Sequence, residues 1–190
     1  RAQHHFGGLP PGTIVRNEPS IDEPKQLGRR SFELLEAESV ARGLFGWHTV
    51  PMGHADVPAL DVLSDLLTCG RRSRLWERLV EKGRIATWVD ASQENAKRAG
   101  RLLIQLEAAS GSDPLRIEAE IHATIARLAK EGPSAEELSR SRNRLEAAWR
   151  WEQGDVGGLA SGLGDVALWG EWSDWQKVHR ASIAVDADDI

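Results

Sequence analysis

Apolar residues recur at two different spacings along this chain, and the order of those spacings limits the possible folds more than any other feature. Every second residue from 102 to 108 is apolar, as expected of a strand that buries one face. Leu103 breaks the alternation, because it is apolar at a position where a polar residue is expected. Between residues 117 and 128 the apolar positions fall three and four apart, the spacing of an amphipathic helix. The chain therefore combines strands and helices in one hydrophobic pattern.

The order of these segments predicts the fold class. Strands are predicted at residues 30–37 and 40–50, followed by two short helices, then strands at 85–91 and 102–108, then two long helices. Neighbouring strands separated by short polar turns pair antiparallel. The order ββααββαα thus predicts an α+β fold, an antiparallel-rich sheet with helices packed on one face.

Capping residues predict where the helices begin. Asp56 and Asp113 each precede an apolar helical stripe, and Ser134 with Glu137 forms a capping box. Ser173 with Gln176 repeats this pattern before the last helix. Asp186 with Asp189 has the same spacing, which predicts a further helix start and a domain truncated at its C-terminus.

The domain organisation follows from glycine and proline content. Residues 1–26 contain the segment Phe6-Gly7-Gly8-Leu9-Pro10-Pro11-Gly12 and further prolines among acidic residues, so they are predicted to be an inter-domain linker. Residues 27–190 are predicted to form one domain, since a segment of this length can bury a sizeable core.

Composition excludes several classes of partner. The formal net charge is −5 and the pI is about 5.7, which argues against nucleic-acid or anionic-membrane binding. No apolar run approaches the roughly 20 residues of a membrane span. A single cysteine, Cys69, permits no internal disulfide.

Metal binding is not predicted. None of the six histidines belongs to an H-x-x-E-H or H-E-x-x-H motif, in which two imidazoles share one zinc ion; they are His4, His5, His48, His54, His122 and His179. His48, His54 and Asp56 lie close together in sequence and could be imagined as ligands. The favoured interpretation is a solvated loop in which Asp56 caps a helix.

Four other features have a functional and a structural interpretation, and the structural one is favoured for each. Gly162-Leu163-Gly164-Asp165-Val166-Ala167 has the spacing of a dinucleotide fingerprint, but no strand precedes it, so a loose connection or close helix packing is predicted. Cys69 is interpreted as a buried small apolar residue and not as a nucleophile.

The cluster Arg71-Arg72-Ser73-Arg74 is interpreted as a solvated turn and not as a phosphate site. The five tryptophans from Trp149 to Trp175 are interpreted as an inter-domain face and not as a ligand groove. No catalytic, cofactor-binding or metal-binding residue is therefore predicted in this chain.

A family resemblance rests on several colinear motifs. The chain resembles the second domain of the pitrilysin family of zinc metallopeptidases, which includes insulin-degrading enzyme and mitochondrial processing peptidase. The matching residues are Pro51, Asp56, Ala59-Leu60-Asp61-Val62-Leu63, Gly70, Ser73-Arg74-Leu75, Pro133-Ser134-Ala135-Glu136-Glu137-Leu138 and residues 185–190. The linker motif Phe6-Gly7-Gly8-Leu9-Pro10, followed by residues 23–30, is similar to the bridge between the two domains of one half of such an enzyme. Each motif is modest, but their order and spacing make the resemblance specific.

The resemblance implies a non-catalytic role for this chain. In the family the first domain carries H-x-x-E-H and zinc, and some second domains contribute an Arg and a Tyr, seven residues apart, that hold the substrate and stabilise the oxyanion. A gap-free alignment from Ser73 places Val80 and Thr87 at these two positions, and the chain has no Tyr. Arg78 or Arg84 could replace the Arg only if the helix or turn changed register, which the sequence does not indicate.

The resemblance also implies partners. It implies an upstream zinc-binding domain in the same chain, peptide substrates, and a second half or subunit that supplies the Arg-Tyr pair. The domain would then help form the chamber that encloses the peptide. The alternative is a wholly inactive paralogue that acts as a scaffold subunit, and an upstream H-x-x-E-H motif would separate the two.

Overall fold

The computed structural model describes residues 2–10, 26–35, 37, 40–168 and 170–190. The chain divides into two compact units, residues 1–31 and 32–190. The first unit contains the short helix α1 (Ala2–Phe6). Residues 11–25 of the segment predicted to be a linker lie outside the described residues, so the linker boundary stays a prediction.

The second unit contains three strands, five α-helices and one π-helix among its described residues. In chain order these elements are β1 (Arg42–Thr49), α2 (Val57–Thr68), the π-helix (Trp76–Lys82), β2 (Ala86–Asn95), β3 (Gly100–Ala108), α3 (Pro114–Glu131), α4 (Ala135–Gly154), α5 (Val156–Ala167) and α6 (Asp174–Ala184). None of the helices in the described part of the chain combines the length and hydrophobicity needed to cross a membrane.

The sheet has the order β1-β3-β2, and both pairs are antiparallel. Alternate residues of the central strand β3, from Leu102 to Ala108, are buried beneath the helices. The other face of the sheet is partly open, since Leu44 on β1 is 67% exposed. The structure thus confirms the predicted α+β fold with helices on one face of an antiparallel sheet.

The main core lies between this sheet and the helices. Leu67, Leu75, Leu79, Ile104 and Ile121 have no exposed surface, although they come from four different segments of the chain. A smaller cluster joins α2 and α4 with the residues that follow α6; it consists of Val62, Leu66, Leu138 and Val185. Burying a Leu or Ile side chain stabilises the fold by about 1.5–3 kcal/mol, so these two clusters hold the elements in place.

One predicted strand is absent from the structure. The segment 40–50 forms β1, but the described residues of segment 30–37 belong to no strand. Leu34 and Leu35 are consecutive apolar residues, which breaks the two-residue period, and both side chains are exposed. The segment therefore has no single apolar face to place on the sheet, and the predicted order ββααββαα begins with one strand.

The predicted caps form at two helix starts and fail at two others. The Asp113 carboxylate accepts the Leu115 N–H, and Ser134 and Glu137 make a reciprocal capping box. At the chain end, the Asp186 N–H donates to the Asp189 carboxylate and the Asp188 N–H donates to the Asp186 carboxylate, but residues 185–190 form no helix, so the further helix start stays a prediction. Asp56 and Ser173 hold the N-cap positions of α2 and α6 but make no side-chain cap. Both have helical backbone angles, whereas a capping residue normally has extended ones.

Candidate functional site

The segment after the Ser73-Arg74-Leu75 motif contains three backbone irregularities in succession. The π-helix is the first, and the second is Arg84, whose φ of 49° makes it the only non-glycine residue with positive φ in the described part of the chain. The third is a shift in the β2–β3 register between Ala86 and Trp88. Irregularities of these kinds concentrate at functional sites, so this segment is the candidate site.

The two positions aligned with the family's Arg and Tyr carry no suitable donor. Val80 is half-buried in the π-helix and packs against the main core. Thr87 is exposed at the register shift, and its hydroxyl donates to the Glu107 carbonyl at 3.4 Å. Val80 has no polar group, and the Thr87 hydroxyl already has an acceptor.

Arg78 already has a partner within this domain. The π-helix contains about one more residue per turn than an α-helix, so its side chains are not spaced as in the α-helix that the sequence predicts. The Arg78 guanidinium is held by Glu120 on α3, with Nε–Oε2 at 2.6 Å and Nη2–Oε1 at 3.1 Å. The hydrogen bonds from Arg78 lower the pKa of Glu120, which favours the charged form of the pair.

Arg84 is exposed just after the π-helix in the left-handed region, which favours glycine. A non-glycine residue there costs about 1–2 kcal/mol, of which about half is offset by the greater freedom of glycine in the unfolded chain. We therefore expect Arg84→Gly to raise the free energy of unfolding by about 0.5–1 kcal/mol, measured by urea titration.

The neighbouring Gly83 has an ordinary φ of −72°, but an added Cβ would lie 2.3 Å from the Arg78 carbonyl oxygen. Gly83→Ala should therefore lower the same free energy by about 2 kcal/mol, and a loss of stability in Arg84→Gly would contradict the assignment of strain.

Arg74 of the motif holds two distant segments together. Its guanidinium donates to both carboxylate oxygens of Glu137, at 2.8 and 2.9 Å, and to the Gly132 carbonyl at 2.9 Å. The two side chains are only 18% and 17% exposed. Hydrogen bonds from Arg74, and then from Ser134, lower the pKa of Glu137 to about 2. Glu137 thus serves the capping box of α4 and the contact with Arg74 at once.

The other arginines of the basic cluster are also paired with acids. Arg71 contacts Glu81 at 2.8 Å and Arg72 lies 3.6 Å from Glu136. Both side chains are more than 80% exposed, so these are solvated surface pairs. Arg72 shares Glu136 with Arg140, so its pairing is the weaker of the two.

The described residues do not fit a zinc ion. His54 Nδ1 accepts the Asp56 N–H at 3.1 Å, which fixes the loop before α2. His48 and Asp56 line a cleft of about 300 Å³ together with Asp189. No three His, Cys, Asp or Glu side chains in the described ranges come together as metal ligands, whereas a zinc site needs at least three.

Two other histidines pair with acids on helices. His122 Nε2 lies 3.6 Å from Glu118 within α3. His179 on α6 lies 3.0 Å from Glu146 on α4 and stacks on Trp149 with a ring separation of 4.3 Å. The His179 contact joins α6 to α4, which is a structural role.

Cys69 lies exposed at the end of α2, so the prediction of a buried residue is wrong. The helix ends at Thr68, and the chain turns outward before Gly70, whose φ is 86°. Partial desolvation of the thiol, followed by the negative charge of Asp65, raises the pKa of Cys69. A raised pKa disfavours the thiolate that a nucleophile needs.

The glycine-rich segment and the tryptophans belong to one helical layer. Residues 162–167 lie inside α5, where a Cβ on Gly162 would meet Trp175 Nε1 at 2.7 Å. Close helix packing, one of the two predicted roles, is therefore confirmed, and the loose connection is wrong. Trp149 and Trp175 pack together at 4.1 Å, while Trp151 and Trp172 are 82% and 67% exposed.

Comparison with known proteins identifies the family. A sequence model described as the peptidase M16 inactive domain matches residues 2–145, which is most of the chain and includes the whole candidate site. The chain belongs to the peptidase M16 inactive-domain family. The resemblance to zinc metallopeptidases of this type is thereby confirmed. No curated protein sequence matches the chain.

Solved structures share the fold of this M16 inactive domain. A protease from Helicobacter pylori matches with a TM-score of 0.91 and 21% identity over 98% of this chain and 46% of that one. The inactive peptidase domain of a candidate zinc protease from Bordetella parapertussis matches with a TM-score of 0.71 and 21% identity, over 80% and 84% of the two chains. A peptidase M16 inactive domain from Pseudomonas fluorescens matches with a TM-score of 0.65 and 18% identity, over 77% and 35%. The chain thus spans about half the length of the Helicobacter pylori protease.

Sequence reasoning missed the contact between Arg74 and Glu137. The capping box around Ser134 was recognisable from its spacing, but nothing in the sequence links residue 74 to residue 137. The arginine of the M16 motif is therefore a structural residue in this domain, and the structure was needed to assign it.

Proposed function

We propose that this chain is the non-catalytic C-terminal domain of a pitrilysin-type zinc metalloendopeptidase and helps form the chamber that encloses peptide substrates. One observation carries the proposal: in a chain of the M16 inactive-domain family, the gap-free alignment from Ser73 places Val80 and Thr87 at the positions of the Arg and Tyr of active complements, and the chain contains no Tyr. The domain keeps the fold but has neither donor, so its contribution is enclosure and not chemistry.

The open face of the sheet supports a role as a chamber wall. It carries ion pairs at its two ends, between Arg42 and Glu107 and between Arg101 and Glu94. Between these pairs lies the exposed side chain of Leu44. Each of these two pairs neutralises its own charges across neighbouring strands, so the two ends of the surface can contact peptides of varied sequence without strong charge selection.

The proposal assigns the chemistry to other parts of a longer protein. Zinc and its water would be held by an upstream domain with an H-x-x-E-H motif, and the Arg-Tyr pair would come from a second half or subunit. The residues of this chain would then position and surround the substrate. If the upstream domain lacks the zinc motif, the chain is part of an inactive scaffold subunit instead.

The 190-residue chain itself should bind no stoichiometric zinc and hydrolyse no peptide. The physical reason is that its described residues provide no set of three metal ligands and no donor pair at residues 80 and 87. Elemental analysis after dialysis, together with a fluorogenic assay on unfolded peptides, measures both expectations.

A control distinguishes this chain from a contaminating peptidase. Any activity found should be unchanged in His48→Ala and His54→Ala, since these residues belong to no catalytic arrangement. One tightly held zinc per chain, or hydrolysis that disappears when a residue of the chain itself is replaced, would show that the assignment is wrong.

A further inference from the structure

The centre of the open face of the sheet carries an acid, Asp90, that makes no hydrogen bond or ion pair in the described part of the chain. Asp90 on β2 lies opposite Gln105 on β3, which lies opposite Leu44 on β1. Residues opposite each other in antiparallel strands point to the same face, and successive residues of one strand point to opposite faces. Because Val89 and Ala91 are buried in the core, the Asp90 carboxylate lies on the open face.

Four other charged side chains of the open face form two ion pairs at its ends. Arg42 Nε lies 3.5 Å from Glu107 Oε1 at one end, and Arg101 Nε lies 2.6 Å from Glu94 Oε2 at the other. Each pair has no net charge, so Asp90 gives the described part of this face one uncompensated negative charge. Partial burial raises the pKa of Asp90, as expected of a carboxylate without an ion-pair partner.

Two further titratable groups near this surface do not compensate Asp90. His48 is at the end of β1, four residues and about 13 Å along the sheet from the row that contains Asp90. Desolvation, then Asp65 and to a smaller extent Asp90, raise the pKa of the Cys69 thiol, so it stays neutral. Arg144, which also lies near Cys69, is paired with Asp65 at 3.1 Å. The Asp90 carboxylate is therefore available to a cation from another molecule.

Apolar side chains lie beside this carboxylate. Trp88 is two residues away on the same strand and face, at about 7 Å, and is 41% exposed. Leu44, in the same row across the sheet, is 67% exposed, and the half-buried Leu103 lies diagonally opposite Asp90. A Lys or Arg side chain has an apolar stem and a charged tip, so it can lie on such a surface with its tip at a carboxylate. An indole ring also attracts a cation directly.

We propose that the centre of the open face binds a Lys or Arg side chain of a peptide, with Asp90 as the partner of its charge and Trp88 beside its stem. The inference rests on the proposed function, in which this face is a wall of the chamber that encloses peptides. It adds the class of side chain that the wall selects. The two ends of the face are neutral, so the one charge at its centre sets the preference.

The test measures peptide binding by the 190-residue chain, which requires no catalytic activity. Two acetylated and amidated peptides of otherwise uncharged residues differ only at their central position, which is Lys in one and norleucine in the other. NMR titration should give a dissociation constant about fivefold lower for the Lys peptide, as for a partly exposed ion pair. Asp90→Asn should abolish this difference and leave the norleucine peptide unaffected, while Trp88→Ala should weaken the binding of both peptides.

Glu94→Gln is the matched control, because it removes the same charge from the same strand and face. Glu94 is already paired with Arg101. It lies about 13 Å from Asp90, which is beyond the Debye length of about 8 Å at physiological salt. The variant should therefore keep the preference for Lys to within about twofold. Equal losses in Asp90→Asn and Glu94→Gln would identify an effect of net charge alone and overturn the proposal.

Other outcomes separate this inference from the proposed function. Equal affinity of the unsubstituted chain for the two peptides, or no binding of either at millimolar concentration, would overturn the inference. If the full-length protein lacks zinc and peptidase activity but the chain prefers the Lys peptide through Asp90, the proposed function fails and the binding site stands. If the full-length protein cleaves peptides but Asp90→Asn keeps the preference, the inference fails and the proposed function stands.

Discussion

Glu137→Gln should lower the free energy of unfolding at pH 7 by about 2 kcal/mol, because it removes the charged partner of a largely buried arginine. The carboxylate accepts two hydrogen bonds from Arg74 and one from the Ser134 N–H. Lowering the pKa from 4.5 to about 2 corresponds to about 3 kcal/mol, which partial solvent screening reduces to about 1–2 kcal/mol. Urea titration of the two proteins at fixed pH measures the difference.

The pH dependence of this difference has a definite sign. The pKa of Glu137 is lowered in the folded state, so its contribution is complete above the unfolded pKa of about 4.5. As the pH falls from about 4.5 to about 2, the folded carboxylate gains its proton and the contribution is lost. The wild type and Glu137→Gln should therefore converge in stability over this window.

The neighbouring Glu136 provides a matched control on the same turn of α4. Its carboxylate pairs with Arg140 and Arg72, but its side chain is 71% exposed. Glu136→Gln should thus change the free energy of unfolding by no more than about 0.5 kcal/mol. Equal effects of the two substitutions at pH 7 would contradict the structural role assigned to Arg74 and Glu137.

Local chemistry allowed much of the fold to be predicted. The alternation along β3 and the caps at Asp113 and Ser134 depend on residues within a few positions of each other, so the sequence contains the whole signal. The confirmed α+β class follows from these elements and their order. The failed caps at Asp56 and Ser173 show the limit, since a residue of the right type still needs an extended backbone.

The elements that the sequence did not predict are α5, the π-helix and the backbone angle of Arg84. Helix α5 was not predicted because four glycines suggest a loop, yet Gly162 is needed for close approach to Trp175. The π-helix has no residue pattern of its own, and Arg84 follows it with a backbone angle that no local preference favours. The helical state of α5 is set by packing, which overrides propensity where a helix has a partner to contact.

The candidate site was predictable only through the family resemblance. Composition and spacing indicated no catalytic residue, and the gap-free alignment alone directed attention to Val80 and Thr87. The structure adds that these two residues lie among the irregular backbone of the π-helix and the register shift, with one half-buried and the other exposed. The backbone of the candidate site is therefore irregular, although Val80 and Thr87 do not provide the Arg and Tyr donors of the family.

A full-length protein with this domain should turn over unfolded peptides slowly by itself, and on the order of 10²–10³ times faster with a partner half that carries the Arg-Tyr pair. Cleavage requires donors where negative charge develops on the scissile carbonyl, and Val80 has no donor at all. The Thr87 hydroxyl is too short to replace a phenol that projects into a chamber, and it already donates to the Glu107 carbonyl. Initial rates measured with and without the partner test this expectation directly.

Two sets of variants assign the donors to one half or the other. Replacing the partner's Tyr with Phe should remove the gain in rate, because the ring remains and only the hydroxyl donor is lost. In this domain, Thr87→Val should leave the stimulated rate within about twofold, since the lost hydroxyl makes only a 3.4 Å contact with a backbone carbonyl. Full activity of the isolated full-length chain as a verified monomer or homo-oligomer would show that the alignment of Val80 and Thr87 with the donor pair is wrong. The donors would then have to come from elsewhere in the same chain, and Arg84 would be the first residue to replace, because it is exposed just after the π-helix and three residues before Thr87.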